Sequence, residues 1–147
     1  MNAIEFKLIR EELHLSQTEL AELLEVSLRT LQRWEKGDFQ IPDDKKQALA
    51  KMLVDVKTAT DNFVGLLQEK GEKDMTIALL SYSPTCYDGD FPHYKLHNAV
   101  ITKCKLQAEE LGYHVRLVKF HPDNYRNWLN GKEDNQANRA NWASLQI

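Results

Sequence analysis

The stretch "LSQTELAELLEVSLRTLQRWEKG", Leu15 to Gly37, decides the fold. Ser16 followed by Glu19 is a capping-box pattern, so a helix starts at Gln17. Its apolar positions, Leu20, Ala21, Leu23 and Leu24, lie on one side. "EVS" is too short for anything but a turn, and Ser27 is a second N-cap. The next helix runs from Leu28 to about Lys36, with Leu31 and Trp34 inward and Gly37 as C-cap. Leu28, Arg29, Gln32 and Arg33 then remain on its outer face.

Two short helices in this arrangement have a specific chemical use. The second can enter a major groove if its outer face is polar and its inner face packs on the first. Arg makes bidentate contacts to guanine, and Gln makes them to adenine. Arg29, Gln32 and Arg33 are therefore candidate base or phosphate contacts. Gln17 stands at a helix N-terminus, where a phosphate meets free N–H groups. Ser27 and Thr30 can cap the helix or reach phosphates, and Lys36 can add a phosphate contact. Glu35 is expected to pair with Arg10 and tie the first helix to the third.

The charge balance works against a promiscuous nucleic-acid binder. The chain has 147 residues and a net charge of −3. Residues 1–50 hold 7 Lys+Arg against 10 Asp+Glu, while the remainder carries 12 of each. Non-specific binders are normally basic. Positive charge must therefore be confined to one face, with Glu11, Glu12, Glu22 and Glu25 elsewhere.

Upstream, "IEFKLIREEL" places Ile4, Leu8, Ile9 and Leu13 on one helical face, with Phe6 beside them; Arg10, Trp34 and Glu35 are expected to support the helix-turn-helix from within. Downstream, Pro42, Asp43 and Asp44 open a long helix. Its apolar seam is Leu49, Met52, Val56, Ala59, Phe63 and Leu66, widened by Leu53 and Leu67, a heptad spacing suited to a globular core or to a second subunit. "QEKGEKD" is a polar linker around Gly71. This places a domain boundary at residues 70–71, between a domain of residues 1–70 and one of residues 71–147.

The second half changes character. "MTIALLSYS" (Met75–Ser83) and "YHVRLVKF" (Tyr113–Phe120) read as strands. Between them "YKLHNAVITKCKLQAEELG" reads as an amphipathic helix ending at Gly112. Two strands alone are marginally stable, and pairing with a second copy would cure that. The tail, with Trp128, Leu129 and Trp142, reads as one or two short helices. The expected fold is mainly α with a small α+β part.

Residues 6–37 resemble the lambda-repressor-like, Xre-type helix-turn-helix family. Arg10, Ser16, Gln17, Leu20, Ala21, Val26, Ser27, Leu31, Trp34, Glu35 and Gly37, and later Pro42, carry the resemblance. It implies a five-helix DNA-binding domain with Leu28 to Arg33 at the base edges and Gln17 on the backbone. Leu28 departs from the pattern, since it offers only apolar contact with a thymine methyl. A narrower resemblance, through "WEKGDFQIPDD" and "YDGDFPHYKLHNAVITKCKL", is to the anti-CRISPR-associated autorepressors and their bacterial relatives. That implies a homodimer formed by the C-terminal domain, binding an inverted repeat in double-stranded DNA upstream of its own operon. It also raises binding to the RNA of that operon. An antitoxin whose second domain holds a toxin is the alternative.

Other chemistry is not expected. Cys86, His93, His97 and Cys104 lack the paired spacing of a zinc site. No nucleophile motif or glycine-rich phosphate loop is present, so neither an enzyme nor a cofactor is expected. Two cysteines and an N-terminus without an apolar signal stretch fit a cytoplasmic protein with no membrane partner.

Overall fold

The computed structural model describes residues 1–147. It divides into two compact units, Met1–Thr58 and Ala59–Ile147. The division falls inside a helix. The polar segment after residue 70, where the sequence places a boundary, is where that helix ends.

The first unit contains α1 (Ala3–Glu12), α2 (Gln17–Leu23), α3 (Leu28–Lys36) and the first part of α4 (Asp43–Lys70). Local chemistry sets the starts. Asn2 and Ser16 each accept from the backbone N–H three residues on, while Glu5 and Glu19 reach back to the cap N–H. Phe6, Leu13, Leu20, Leu31, Trp34, Leu49 and Val56 make the core. The Phe6 and Trp34 rings meet edge to face at 6.1 Å.

Two expectations need correction here. The inward stripe of α1 is Phe6, Arg10 and Leu13, while Ile4 and Leu8 are 68% and 56% exposed. Apolar spacing alone passes over a stripe with an arginine in its middle. That stripe is nonetheless favoured, because it buries the largest ring and a partner neutralises the arginine. The unit also has four helices where the resemblance implies five. No Gly or Pro interrupts residues 43–64, so the last two helices are one. Its buried positions are Leu49, Val56, Thr60 and Leu67, with Leu66 56% exposed. A straight helix drifts by about 20° per heptad against a 3.5-residue repeat, which moves the seam from residue 66 to residue 67.

The second unit takes the remainder of α4, then β1 (Thr76–Ser81), α5 (Tyr94–Glu110), β2 (His114–Lys119), α6 (Pro122–Leu129) and α7 (Gln136–Ser144). The strands are parallel, in register from Thr76 opposite His114 to Ser81 opposite Lys119. Parallel pairing follows from the crossover helix between them. Both sheet faces are covered. Val115, Ile77 and Leu79 pack with Leu67, Ala108 and Tyr113. Val118, Ala78 and Leu80 pack with Phe120, Tyr125, Leu129 and Trp142. Helices on both faces are what a parallel sheet requires. No helix is long and apolar enough to cross a membrane.

Arg139 fastens the tail. Its guanidinium lies 4.7 Å from the Phe120 ring centroid and donates to both oxygens of Asp134 at 2.8 Å. It also donates to Asp88 at 2.9 and 2.8 Å and to the Tyr82 hydroxyl at 3.0 Å. Tyr125 donates to Asp134 at 2.8 Å. Hydrogen bonding from Arg139 holds the Asp134 carboxyl down at about 2. Burial, and then the hydrogen bond to Asp134, pushes the Tyr125 phenol up to about 12.

These bonds imply an acid-dependent stability. The folded pKa of Asp134 lies below its ordinary value of 3.8, so its contribution is present above that value and is lost as pH falls through about 2. Urea unfolding of the wild type and of Asp134→Asn should therefore differ most near neutrality and converge toward pH 2. A difference independent of pH would show that the carboxylate charge contributes nothing.

Candidate nucleic-acid interface

Helix α3 is held from below by one ion pair. Arg10 donates through Nε to Glu35 Oε1 at 2.6 Å and through Nη2 to Oε2 at 3.2 Å. Its Nη1 donates to the Leu15 carbonyl at 2.8 Å. The two side chains are 8% and 4% exposed, so the pair is desolvated and its geometry matters. Arg10 thereby links α1, the residue leading into α2, and α3.

Gln17 joins the same network. Its Nε2 donates to Glu35 Oε2 at 2.7 Å, and its Oε1 accepts from Gln32 Nε2 at 3.3 Å. The sequence places Gln17 at a phosphate and Gln32 outward. In the structure both are half-buried and lean on each other. The first turns of α2 and α3 are therefore set at a defined separation by two amides and a carboxylate.

The start and end of α3 follow from local sequence. Ser27 caps it, accepting from the Thr30 N–H at 3.1 Å, and the two hydroxyls lie 2.8 Å apart. Thr30 is thus tied to the cap. Between α2 and α3, Glu25 takes a left-handed conformation with φ 58°, and the Val26 N–H returns to the Ala21 carbonyl at 2.9 Å. Gly37 ends the helix at φ 82°, where a side chain would be strained. Leu31 and Trp34 are buried.

What remains outside is a short row. Ser27, Leu28, Arg29 and Lys36 are exposed, and Gln32 and Arg33 are half-buried. Arg29 and Arg33 are one turn apart on this face. The Arg33 guanidinium lies over the Phe39 ring at 5.3 Å, a cation–π contact that narrows the directions the arginine can take. Phe39 is 55% exposed. It escaped the sequence reading because it sits in a loop with no periodicity; an exposed aromatic just past the helix cap is the one available signal. The acids Glu11, Glu12, Glu22 and Glu25 are all exposed, and none lies on α3.

The four residues considered for metal or nucleophile chemistry have other roles. His93 caps α5 by accepting from the Lys95 N–H at 3.1 Å. His97 Nε2 bonds the Leu80 carbonyl at 2.7 Å. Cys86 lies against Ser83. Cys104 is buried in α5, and burial pushes its thiol up to about 11.

Removing one partner of the Arg10–Glu35 pair leaves a buried charge alone. Glu35→Ala should lower stability by about 3–5 kcal/mol. The matched replacement Arg10→Met with Glu35→Leu should cost much less. Denaturant midpoints of the three proteins check this, and equal losses for the single and double variants would show that the pair is not coupled.

Comparison with known proteins agrees with this geometry. The helix-turn-helix family matches residues 6–53, which covers most of α1, all of α2 and α3, and the start of α4. Among curated proteins, none matches the chain. Residues 6–53 are an Xre-type, lambda-repressor-like helix-turn-helix, and the protein is a DNA-binding transcriptional regulator.

Proposed function

We propose that this regulator is a sequence-specific repressor that binds an inverted repeat as a homodimer and represses its own operon, of the anti-CRISPR-associated kind. The observation that carries the DNA-reading part is the outer face of α3. There Arg29 and Arg33 stand one turn apart on a helix fixed by a buried ion pair. Rigid presentation matters, because a base-reading side chain must arrive within hydrogen-bond reach without a large ordering cost. Arg29 is the base-reading residue. Gln32 reads beside it and exchanges its bond to Gln17 for one to adenine. Arg33 and Lys36 contact base or phosphate, and Leu28 meets a thymine methyl. Gln17, Ser27 and Thr30 set the phosphate side.

The homodimer rests on a different feature. The sheet has only two strands, so each strand has one edge without a partner strand. Leu117, midway along β2, is 39% exposed. An open strand edge with an apolar side chain is a surface that a second copy can cover. A two-fold dimer places two α3 helices in successive major grooves, with half-sites about 34 Å apart. Autorepression comes from the family resemblance of the sequence.

A gel-shift titration on the DNA upstream of the protein's own gene tests the reading. The wild type should bind that DNA far more tightly than a scrambled duplex. Arg29→Ala should lose about 1–3 kcal/mol of that discrimination, with little change on scrambled DNA. Gln17→Ala should weaken binding to all sequences alike. Equal affinity for operator and scrambled DNA would end the repressor reading.

The dimer has its own measurement. Light scattering of the full chain should give twice 17.1 kDa, and Leu117→Lys should shift it toward one chain. A wild-type mass of a single chain would refute the homodimer.

A further inference from the structure

The segment Tyr87-Asp88-Gly89-Asp90-Phe91 has no part in the helix-turn-helix. With Tyr82, His97 and Arg139 it lines a cavity of about 460 Å³ in the second unit, within the range of roughly 300–1,000 Å³ usual for small-molecule sites. The loop is built rather than slack. A Cβ at Gly89 would stand 2.5 Å from the Tyr87 hydroxyl and 2.7 Å from its ring, so any side chain there would displace the Tyr87 ring. The Phe91 N–H donates to that hydroxyl at 2.8 Å. Arg139 clamps Asp88 through both oxygens.

The walls have a definite chemistry. Tyr82, Tyr87 and His97 form a cluster of rings, with centroids 4.9 to 5.6 Å apart. His97 donates to the Leu80 carbonyl; burial lowers its pKa, so the ring adds no positive charge near neutrality. Asp88, Asp90 and Asp134 face a single cation, Arg139. That guanidinium is already committed to Asp88, Asp134 and the Tyr82 hydroxyl. A half-open surface with excess carboxylate and aromatic rings attracts a weakly hydrated positive charge and repels phosphate.

We propose that this cavity is a binding site for a small organic cation, an ammonium or guanidinium compound, whose charged head sits by Asp90 against the ring of Tyr87. The aromatic faces favour a weakly hydrated organic head over a metal ion, which would need several oxygens converging at short range. The site lies wholly in the second unit and does not depend on the DNA reading.

Calorimetric titration of the full chain with choline and with agmatine tests this. The neutral isostere of choline, 3,3-dimethylbutan-1-ol, serves as the control. At least one cation should bind saturably while the neutral alcohol does not. Asp90→Asn keeps the shape and removes one charge, and should weaken binding about fivefold or more. Asp90→Glu keeps the charge and should retain it. Arg29→Ala should bind the cation as the wild type does. No saturable binding of either cation, or equal affinity in Asp90→Asn and the wild type, would overturn the proposal.

Discussion

The buried pair between Arg10 and Glu35 is the constraint on which the first unit depends. A guanidinium that is 8% exposed and a carboxylate that is 4% exposed cannot stand alone in a core. Each needs the other, and the remaining donors and acceptors must be met as well. Leu15 and Gln17 meet them. Satisfying one pair therefore fixes α1, the lead into α2, and α3 relative to each other. An apolar replacement of equal volume would pack as well, but it would carry no directional demand. The ion pair thus gives α3, with exposed Arg29 and half-buried Arg33 on its outer face, a defined position.

The second unit solves a different problem by similar means. A two-stranded parallel sheet has little to hold it, and here helices cover both faces. The outer layer depends on Arg139, a cation stacked on Phe120 and bonded to two carboxylates. In both units a single arginine gathers segments distant in sequence, because a planar guanidinium offers five donors in fixed directions. The units differ in exposure. Arg10 is sealed in, whereas Asp88 and Asp134 are 61% and 47% exposed. Water screens the Arg139 cluster, so it stabilises less per bond and leaves room for a cavity beside it.

Much of this was legible in the sequence where the causes are local. Ser16, Glu19, Ser27 and Gly37 mark the ends of α2 and α3 because caps are made within a few residues. The outward turn of Arg29 follows from 3.6-residue periodicity, and the two strands follow from the short apolar stretch at Thr76–Ser81 and the alternation at His114–Lys119. The rest depends on contacts between distant residues. No apolar pattern places Arg10 in a buried stripe; its burial, and with it the orientation of α1, depends on Glu35, 25 residues away. The Gln17–Gln32 contact and the Phe39 support of Arg33 arise only once α2, α3 and the loop are assembled. Arg139 lies in a polar tail where nothing local distinguishes it from a solvated arginine.

The negative charge of the chain then bears on how such a regulator selects DNA. Each phosphate neutralised contributes to affinity without regard to sequence. The outer face of α3 and its immediate end offer only Arg29, Arg33 and Lys36, and exposed acids occupy the neighbouring helices. Under the proposed reading, one copy therefore has weak general attraction and a small recognition surface. Under the proposed dimeric reading, affinity comes instead from two such surfaces joined at fixed spacing, where the second contact is made at high effective concentration. That arrangement rewards sites with both half-sites present and gives little to any other sequence. An acidic chain is then compatible with DNA recognition, and it shifts the balance from general adhesion toward discrimination.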